Sequence, residues 1–167
     1  MKRSGLRGLR LALAILLTGL PLHSALANED THHQTHSGAH RHHLSVLTGS
    51  TRFLMSEGSD EDAFTVGIDY EYRINQRYGA GFVAEYAVDP LDATSLLGAL
   101  DVHLVQGLVL QLGLGVEFVE GTSNELARMG FLYEFEFDAF TLSPQLHYDA
   151  TSEEDSIVFG LAVGVNF

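Results

Sequence analysis

From about residue 44 to the end, apolar and polar residues alternate with a period of two, the spacing of a β-strand with two different faces. In "AFTVGIDYEYRI", Phe64, Val66, Ile68, Tyr70, Tyr72 and Ile74 share one face, against Thr65, Gly67, Asp69, Glu71 and Arg73. "YGAGFVAEYAV" sets Tyr78, Phe82 and Tyr86 against Gly81 and Glu85, and "LLGALDVHLV" sets Leu96, Leu100, Val102 and Leu104 against Asp101 and His103. "LVLQLGLGVEFV", "RMGFLYEFEF" and "FTLSPQLHYDA" repeat the scheme, and "IVFGLAVGVNF" ends it on Phe167. A less regular segment, "LSVLTGSTRFL", precedes them all. Eight strands are therefore predicted, and no stretch carries a helical stripe of useful length.

The predicted connections differ in length. "NQR", "QG" and "DA" are tight, whereas "MSEGSDED", "DPLDATS", "EGTSNE" and "TSEEDS" are longer and polar. The two kinds alternate, which places long links at one end and short links at the other. The fold expected is all-β, an eight-stranded antiparallel up-and-down barrel.

Which face points inward decides what kind of barrel this is. A soluble, lipocalin-like barrel would bury the greasy faces, but bulky Leu, Phe and Tyr side chains would overfill so narrow an interior. The opposite faces are rich in Gly and Ala, which suits a crowded inside better than a wet outside. Strands of about 10 to 12 residues also match a tilted membrane span. Hydrocarbon leaves no backbone group unpaired, and a closed barrel meets that demand. Aromatic residues near the strand ends, Tyr72, Tyr78, Tyr86, Phe118, Phe137, Phe140, Tyr148 and Phe167, form two prospective interfacial girdles. The reading is a transmembrane barrel with its bulky face in lipid.

The first residues fit an exported chain. Lys2, Arg3, Arg7 and Arg10 precede the apolar run "LRLALAILLTGLPL", and Ala25 and Ala27 supply the small residues of a cleavage site. Residues 1–27 therefore read as a signal peptide cut before Asn28; the apolar run is short for an uncleaved anchor. All 22 acidic residues but only five of the nine basic ones lie beyond it, a formal charge of −17. That balance excludes a nucleic-acid partner, since nothing could neutralise a run of phosphates. The absence of cysteine removes disulfides, haem attachment and thiol chemistry together.

Residues 28–43, "NEDTHHQTHSGAHRHH", show no hydrophobic periodicity and read as a polar tail. Six of the nine histidines lie there: His32, His33, His36, His40, His42 and His43. Neutral imidazoles suit Zn²⁺, Cu²⁺ and Ni²⁺, and a pliant chain can gather several around one ion. The spacing matches no fixed structural site, so weak, exchangeable binding is expected, and no other cofactor. A pH-responsive polar tail without a metal is the alternative.

With these features assembled, residues 44–167 resemble the small eight-stranded bacterial outer-membrane barrels, the broad OmpA-transmembrane-domain-like and OmpX-like group. The most specific element is the last strand, with alternate apolar groups leading to Phe167. The resemblance implies that Phe167 belongs to an assembly signal read by the barrel-insertion machinery. It also implies a periplasmic N-terminus, external loops, and outer-membrane lipid and lipopolysaccharide as surroundings; a monomer is expected. It implies no single activity.

The faces opposite the bulky residues define a prospective interior: Asp69, Glu71, Arg73, Glu85, Asp101, His103, Gln111, Glu117, Arg128, Glu134, Glu136, Gln145, His147 and Asp149. A barrel of this size is filled by side chains, so a network of ion pairs is the first reading. Two arginines cannot pair with every carboxylate, which keeps a narrow cation-conducting channel as an alternative. A second alternative is an outer-membrane lipid hydrolase. The lipid A deacylases, one eight-stranded family, carry a serine two residues after a strand-borne histidine; here Asp149 holds that place after His147. Ser143 lies four residues from His147, about 13 Å along a strand, too far for direct proton transfer. No catalytic residue is assigned, and an envelope-structural or interaction role is expected. The outer loops, with Glu57, Asp60, Glu61, Asp62, Asp89, Asp92, Glu120, Glu125, Glu153, Glu154 and Asp155, read as a charged rim without a dedicated calcium motif.

Overall fold

The computed structural model describes residues 41–55 and 60–167. The predicted signal peptide, His32, His33, His36, His40 and Glu57 lie outside the described residues. Nine strands follow in order: β1 His42–Leu54, β2 Glu61–Arg73, β3 Tyr78–Ala87, β4 Ala93–Val105, β5 Leu108–Val119, β6 Thr122–Tyr133, β7 Phe135–Glu136, β8 Thr141–Ala150 and β9 Asp155–Asn166. Every pairing is antiparallel. The strand order is β6–β5–β4–β3–β2–β1–β9–β8, and β8 pairs back onto β6. The two-residue β7 continues β6 past Glu134 and pairs with the same neighbour, β8. The result is a closed barrel of eight staves, as the alternation predicts.

The bulky faces point outward. Phe64, Phe82, Leu114, Phe131, Leu146 and Phe159 are each exposed, although soluble domains bury such residues. Two aromatic groups mark the ends of this belt. His42, Tyr70, Tyr72 and Phe167 cluster at the rim where β1 begins, together with the Phe137–Phe140 stack. Tyr86 and Phe118 lie at the other end, next to the β3–β4 and β5–β6 connections. The end that carries His42 and Phe167 is termed the terminal rim below.

Several predicted boundaries move, and β1 starts at His42 rather than Leu44. β4 starts at Ala93 rather than Leu96, and β6 starts at Thr122 rather than Arg128. The expected long link "EGTSNE" is a two-residue turn of Glu120 and Gly121, both with positive φ (49° and 82°), the geometry of a tight hairpin. The expected contrast between long and short ends is therefore reduced: links 55–60, 88–92, 120–121 and 151–154 at one end compare with 74–77, 106–107 and 137–140 at the other. The physical reason lies in Thr122–Leu126, which continues the strand with Ser123 and Glu125 facing out. These residues pair with β5 while β8 has already ended at Ala150. Standing above the apolar belt, they lack the greasy alternation that marks a strand in lipid.

The interior is less polar than expected. Phe53, Ala63, Ala87, Leu91 and Ala93 form an apolar cluster near the end away from the terminal rim. Val83, Leu97, Ala99 and Leu126 form a second, and Leu47, Val158 and Ala162 a third. Between these patches lies the charged network.

Candidate functional site: the polar lumen

Period-two alternation brings inward one residue in two from each stave, and antiparallel register stacks them in layers. Gly113 of β5 is register partner to both Ala99 and Arg128, and Arg128 to Asp149, so adjacent staves contribute to one level. Three polar layers result.

The layer farthest from the terminal rim centres on Arg128, which is 2% exposed. Its Nε and Nη2 donate to Asp149 Oδ1 and Oδ2 at 2.7 and 2.6 Å, and its Nη1 and Nη2 donate to Glu85 Oε1 and Oε2 at 2.7 and 2.6 Å. Two forked pairs on one guanidinium are the arrangement in which buried charges recover most of their desolvation cost. Glu117 lies beside this group, accepting weakly from Ser95 Oγ at 3.5 Å.

In the middle layer, Gln111 Nε2 donates to Asp69 Oδ2 at 2.9 Å and to Asp101 Oδ1 at 3.0 Å. No arginine reaches this layer. Gln111 Oε1 and Ser143 Oγ are buried there without a hydrogen-bond partner.

The third layer sits at the terminal rim. Glu71 Oε1 is 2.7 Å from His103 Nε2, and Glu71 Oε2 accepts from Arg73 Nε at 3.4 Å. Glu134 Oε2 accepts from Arg73 Nη2 at 2.7 Å, while Glu134 Oε1 faces His43 Nδ1 at 3.8 Å. The other nitrogen of His43, Nε2, is 2.8 Å from Thr141 Oγ1. Two glycines make room for this layer. A Cβ at Gly79 would collide with the Glu71 carboxylate, and one at Gly164 would collide with the His43 ring.

His43 and His42 therefore leave the predicted tail. Both belong to β1: His43 is buried in the lumen, and His42 lies at the terminal rim with its Nδ1 2.8 Å from Tyr70 Oη. The run of histidines hides this switch, because the outward-facing Leu44 and Val46 are the first apolar residues to signal the strand. The sequence groups His43 with its neighbours in the chain, whereas pairing with β2 and β9 groups it with Glu71 and Glu134. Among the other predicted interior residues, Glu136 is the exception. It lies past the last full layer, exposed, with Oε1 3.9 Å from Arg73 Nη1. Asp69, Arg73 and His103 are only partly buried, and the rest are buried.

The hydrolase pair is not assembled. His147 Nε2 is bonded to Gln145 Oε1 at 2.7 Å, and Ser143 Oγ has no partner. Both residues are buried in the lumen, away from the lipid-facing surface.

Several acids expected in the loops are engaged locally, Asp62 within β2 and Asp155 at the start of β9. Arg52 donates to both carboxylate oxygens of Asp62, at 2.7 and 3.0 Å, and the hydrogen bond from Arg52 holds the Asp62 carboxyl below its ordinary range. Tyr86 Oη donates to Asp92, and Tyr148 Oη to Asp155.

No protein-family model matches the chain, and neither does any curated protein. Solved structures do. Ail, the attachment invasion locus protein of Yersinia pestis, in complex with the heparin analogue sucrose octasulfate, is similar with a TM-score of 0.53 at 15% identity, over 75% of this chain and 97% of that one. The N-terminal β-barrel domain of Pseudomonas aeruginosa OprF gives a TM-score of 0.53 at 15% identity, over 75% and 97%. Neisserial surface protein A gives 0.51 at 16%, again over 75% and 97%. At these identities the likeness is one of fold. The chain is a closed eight-stave antiparallel barrel with the fold of the small bacterial outer-membrane barrels.

Proposed function

We propose that this chain is an integral protein of the bacterial outer membrane, with its N-terminus in the periplasm and an envelope-structural or interaction role. The observation that carries the reading is the outer surface. A closed barrel that turns Phe, Leu, Val and Ile outward over its whole girth, with aromatics at both ends, is stable only where hydrocarbon covers it. The lumen supports a role without bulk transport, because side chains fill it. His147 and Ser143 are not paired, and the reading assigns no catalytic residue.

The second part of the proposal concerns the segment before the barrel. His32, His33, His36 and His40 bind a divalent transition metal, Zn²⁺, Cu²⁺ or Ni²⁺, weakly and exchangeably on the periplasmic side. Four imidazoles within nine residues, following Glu29 and Asp30, support this reading. Partners in this picture are lipid, lipopolysaccharide and the assembly machinery, with the barrel acting as a monomer.

Cell fractionation tests the first part. The protein is expected in the outer-membrane fraction with a heat-dependent shift in gel mobility; recovery as a detergent-free periplasmic monomer would overturn it. Zn²⁺ titration of the mature chain against a variant with His32, His33, His36 and His40 all changed to Ala tests the second. Equal stoichiometry in both would remove the tail from the account.

A further inference from the structure

We propose that His43, Glu71 and Glu134 form a binding site for one divalent first-row transition-metal ion inside the lumen at the terminal rim. The site is distinct from the histidine-rich segment before the barrel and does not depend on it. The three residues come from β1, β2 and the junction of β6 and β7, and one donor atom from each lies within 4.8 Å of the others. Ligands of a four-coordinate ion at about 2.0–2.1 Å stand roughly 3.3 Å apart. Small side-chain rotations close that difference.

His43 and Glu134 are each held through one polar atom, and Glu71 through both carboxylate oxygens, each of which keeps a second lone pair. Thr141 Oγ1 holds His43 Nε2, so that with Nε2 protonated Nδ1 faces Glu134 Oε1 as a lone pair. His103 and Arg73 together hold Glu71, and Arg73 also holds Glu134 Oε2. In the tautomer whose Nε2–H donates to Thr141, the Nδ1 lone pair and Glu134 Oε1 converge on the same space, 3.8 Å apart, where a cation would be ligated. Outer partners of this kind fix the tautomer and orientation of metal ligands. The glycines beneath Glu71 and His43 keep both groups seated where a larger residue would displace them.

Two independent features point the same way. The cavity beside the three ligands, about 20 Å³, is also lined by Gln111 and Ser143. The buried Gln111 Oε1 and Ser143 Oγ have no partner there, and water bound to an ion would supply one. Asp69, Glu71, Asp101 and Glu134 also share this half of the lumen with one permanent cation, Arg73, beside the imidazoles of His43 and His103, whereas Arg128 serves the other half. An N,O,O donor set suits Zn²⁺, Cu²⁺ and Ni²⁺ rather than Mg²⁺ or Ca²⁺. Access is open, because a cleft of about 440 Å³ at the terminal rim is lined by Arg73, His103 and Glu134.

The experiment is Zn²⁺ titration calorimetry on the refolded mature chain in detergent micelles. The background is the variant in which His32, His33, His36 and His40 are Ala, so that the tail contributes nothing. This background is expected to retain one Zn²⁺ equivalent. Adding Glu71→Gln and Glu134→Gln, which keep shape but remove charge, should weaken that binding at least tenfold. Heat-dependent gel mobility reports whether each variant has folded. If the Gln pair does not fold, Co²⁺ absorption of the background variant decides: intense d–d bands of a low-coordinate N,O set support the site, and a spectrum like that of the aqueous ion overturns it. Loss of all Zn²⁺ binding in the background overturns the lumen site and leaves the tail reading standing. Unchanged stoichiometry in the background, lost with the Gln pair, does the reverse.

Discussion

His42 and Phe167 close the barrel seam. The N–H of His42 donates to the carbonyl of Phe167 at 3.1 Å, and the N–H of Phe167 donates to the carbonyl of His42 at 2.8 Å. Their rings stack with centroids 5.3 Å apart and planes 15° from parallel. One residue pair thus completes the hydrogen-bond ladder and caps the apolar belt, where any unpaired backbone group facing lipid would be costly.

Phe167→Ala is expected to lower the folded fraction, with a stability loss of about 1 kcal/mol from the lost ring contact. Phe167→Tyr, which keeps the stack, should approach the parent. The measurement is the heat-shifted band in outer membranes and after refolding into vesicles. Equal yields for Ala and Phe would separate this residue from assembly.

Arg128 is the most exposed to loss of a partner. Arg128→Met should destabilise the barrel by about 3–5 kcal/mol, since Glu85 and Asp149 would remain buried with their charge uncompensated. Combining it with Glu85→Gln and Asp149→Asn should restore most of that loss. Urea unfolding in lipid vesicles measures both, and a triple variant no better than the single one contradicts the argument.

Gly121 offers a clean backbone test. Its φ is +82°, and a Cβ there would meet nothing within 4 Å. Gly121→Ala should therefore cost only the left-handed strain of about 1–2 kcal/mol. Glu120→Asn, at the other positive-φ position of the turn, should be neutral to slightly stabilising. Thermal or urea unfolding of the two variants checks the opposite signs.

Conductance should be negligible. Two cavities in the lumen measure about 20 and 10 Å³, and about 10–15 Å³ is needed for a single water. The Arg128 layer separates them. Planar-bilayer recordings should show no steady steps, with at most small cation-selective events; large, weakly selective steps would require a different lumen.

Zn²⁺ binding by His32, His33, His36 and His40 should weaken as pH falls through roughly 6.5, because ligation needs the neutral ring and protonation competes for the same lone pair. Titration at pH 7.5 and pH 5.5 should differ by at least tenfold in affinity. A pH-independent affinity would assign the binding to carboxylates.

Much of the fold is legible in the chain. The period of two from Phe64 to Ile74, or from Ile157 to Phe167, fixes strand type and face, because a one-residue slip would move every bulky group into a lumen that cannot hold it. The pairing of Asp62 with Arg52, or of Asn124 with Glu153, is not legible, since residues far apart in the chain become neighbours only through register. The extension of β6 to Thr122 is hidden for another reason: above the membrane belt, a strand has no need of greasy alternation.

The sequence by itself determined a strongly acidic, cysteine-free all-β chain whose bulky residues take one side of each strand, because that pattern is local and needs only the two-residue repeat. Tertiary structure alone decided which inward groups meet. Closure of β1 on both β2 and β9 takes His43 out of the histidine run and sets it opposite Glu134, some ninety residues away, beneath the Arg73 that holds that carboxylate. A histidine run written as one continuous segment is thereby divided, with His43 entering a buried layer, since a barrel assigns neighbours by register and not by order along the chain.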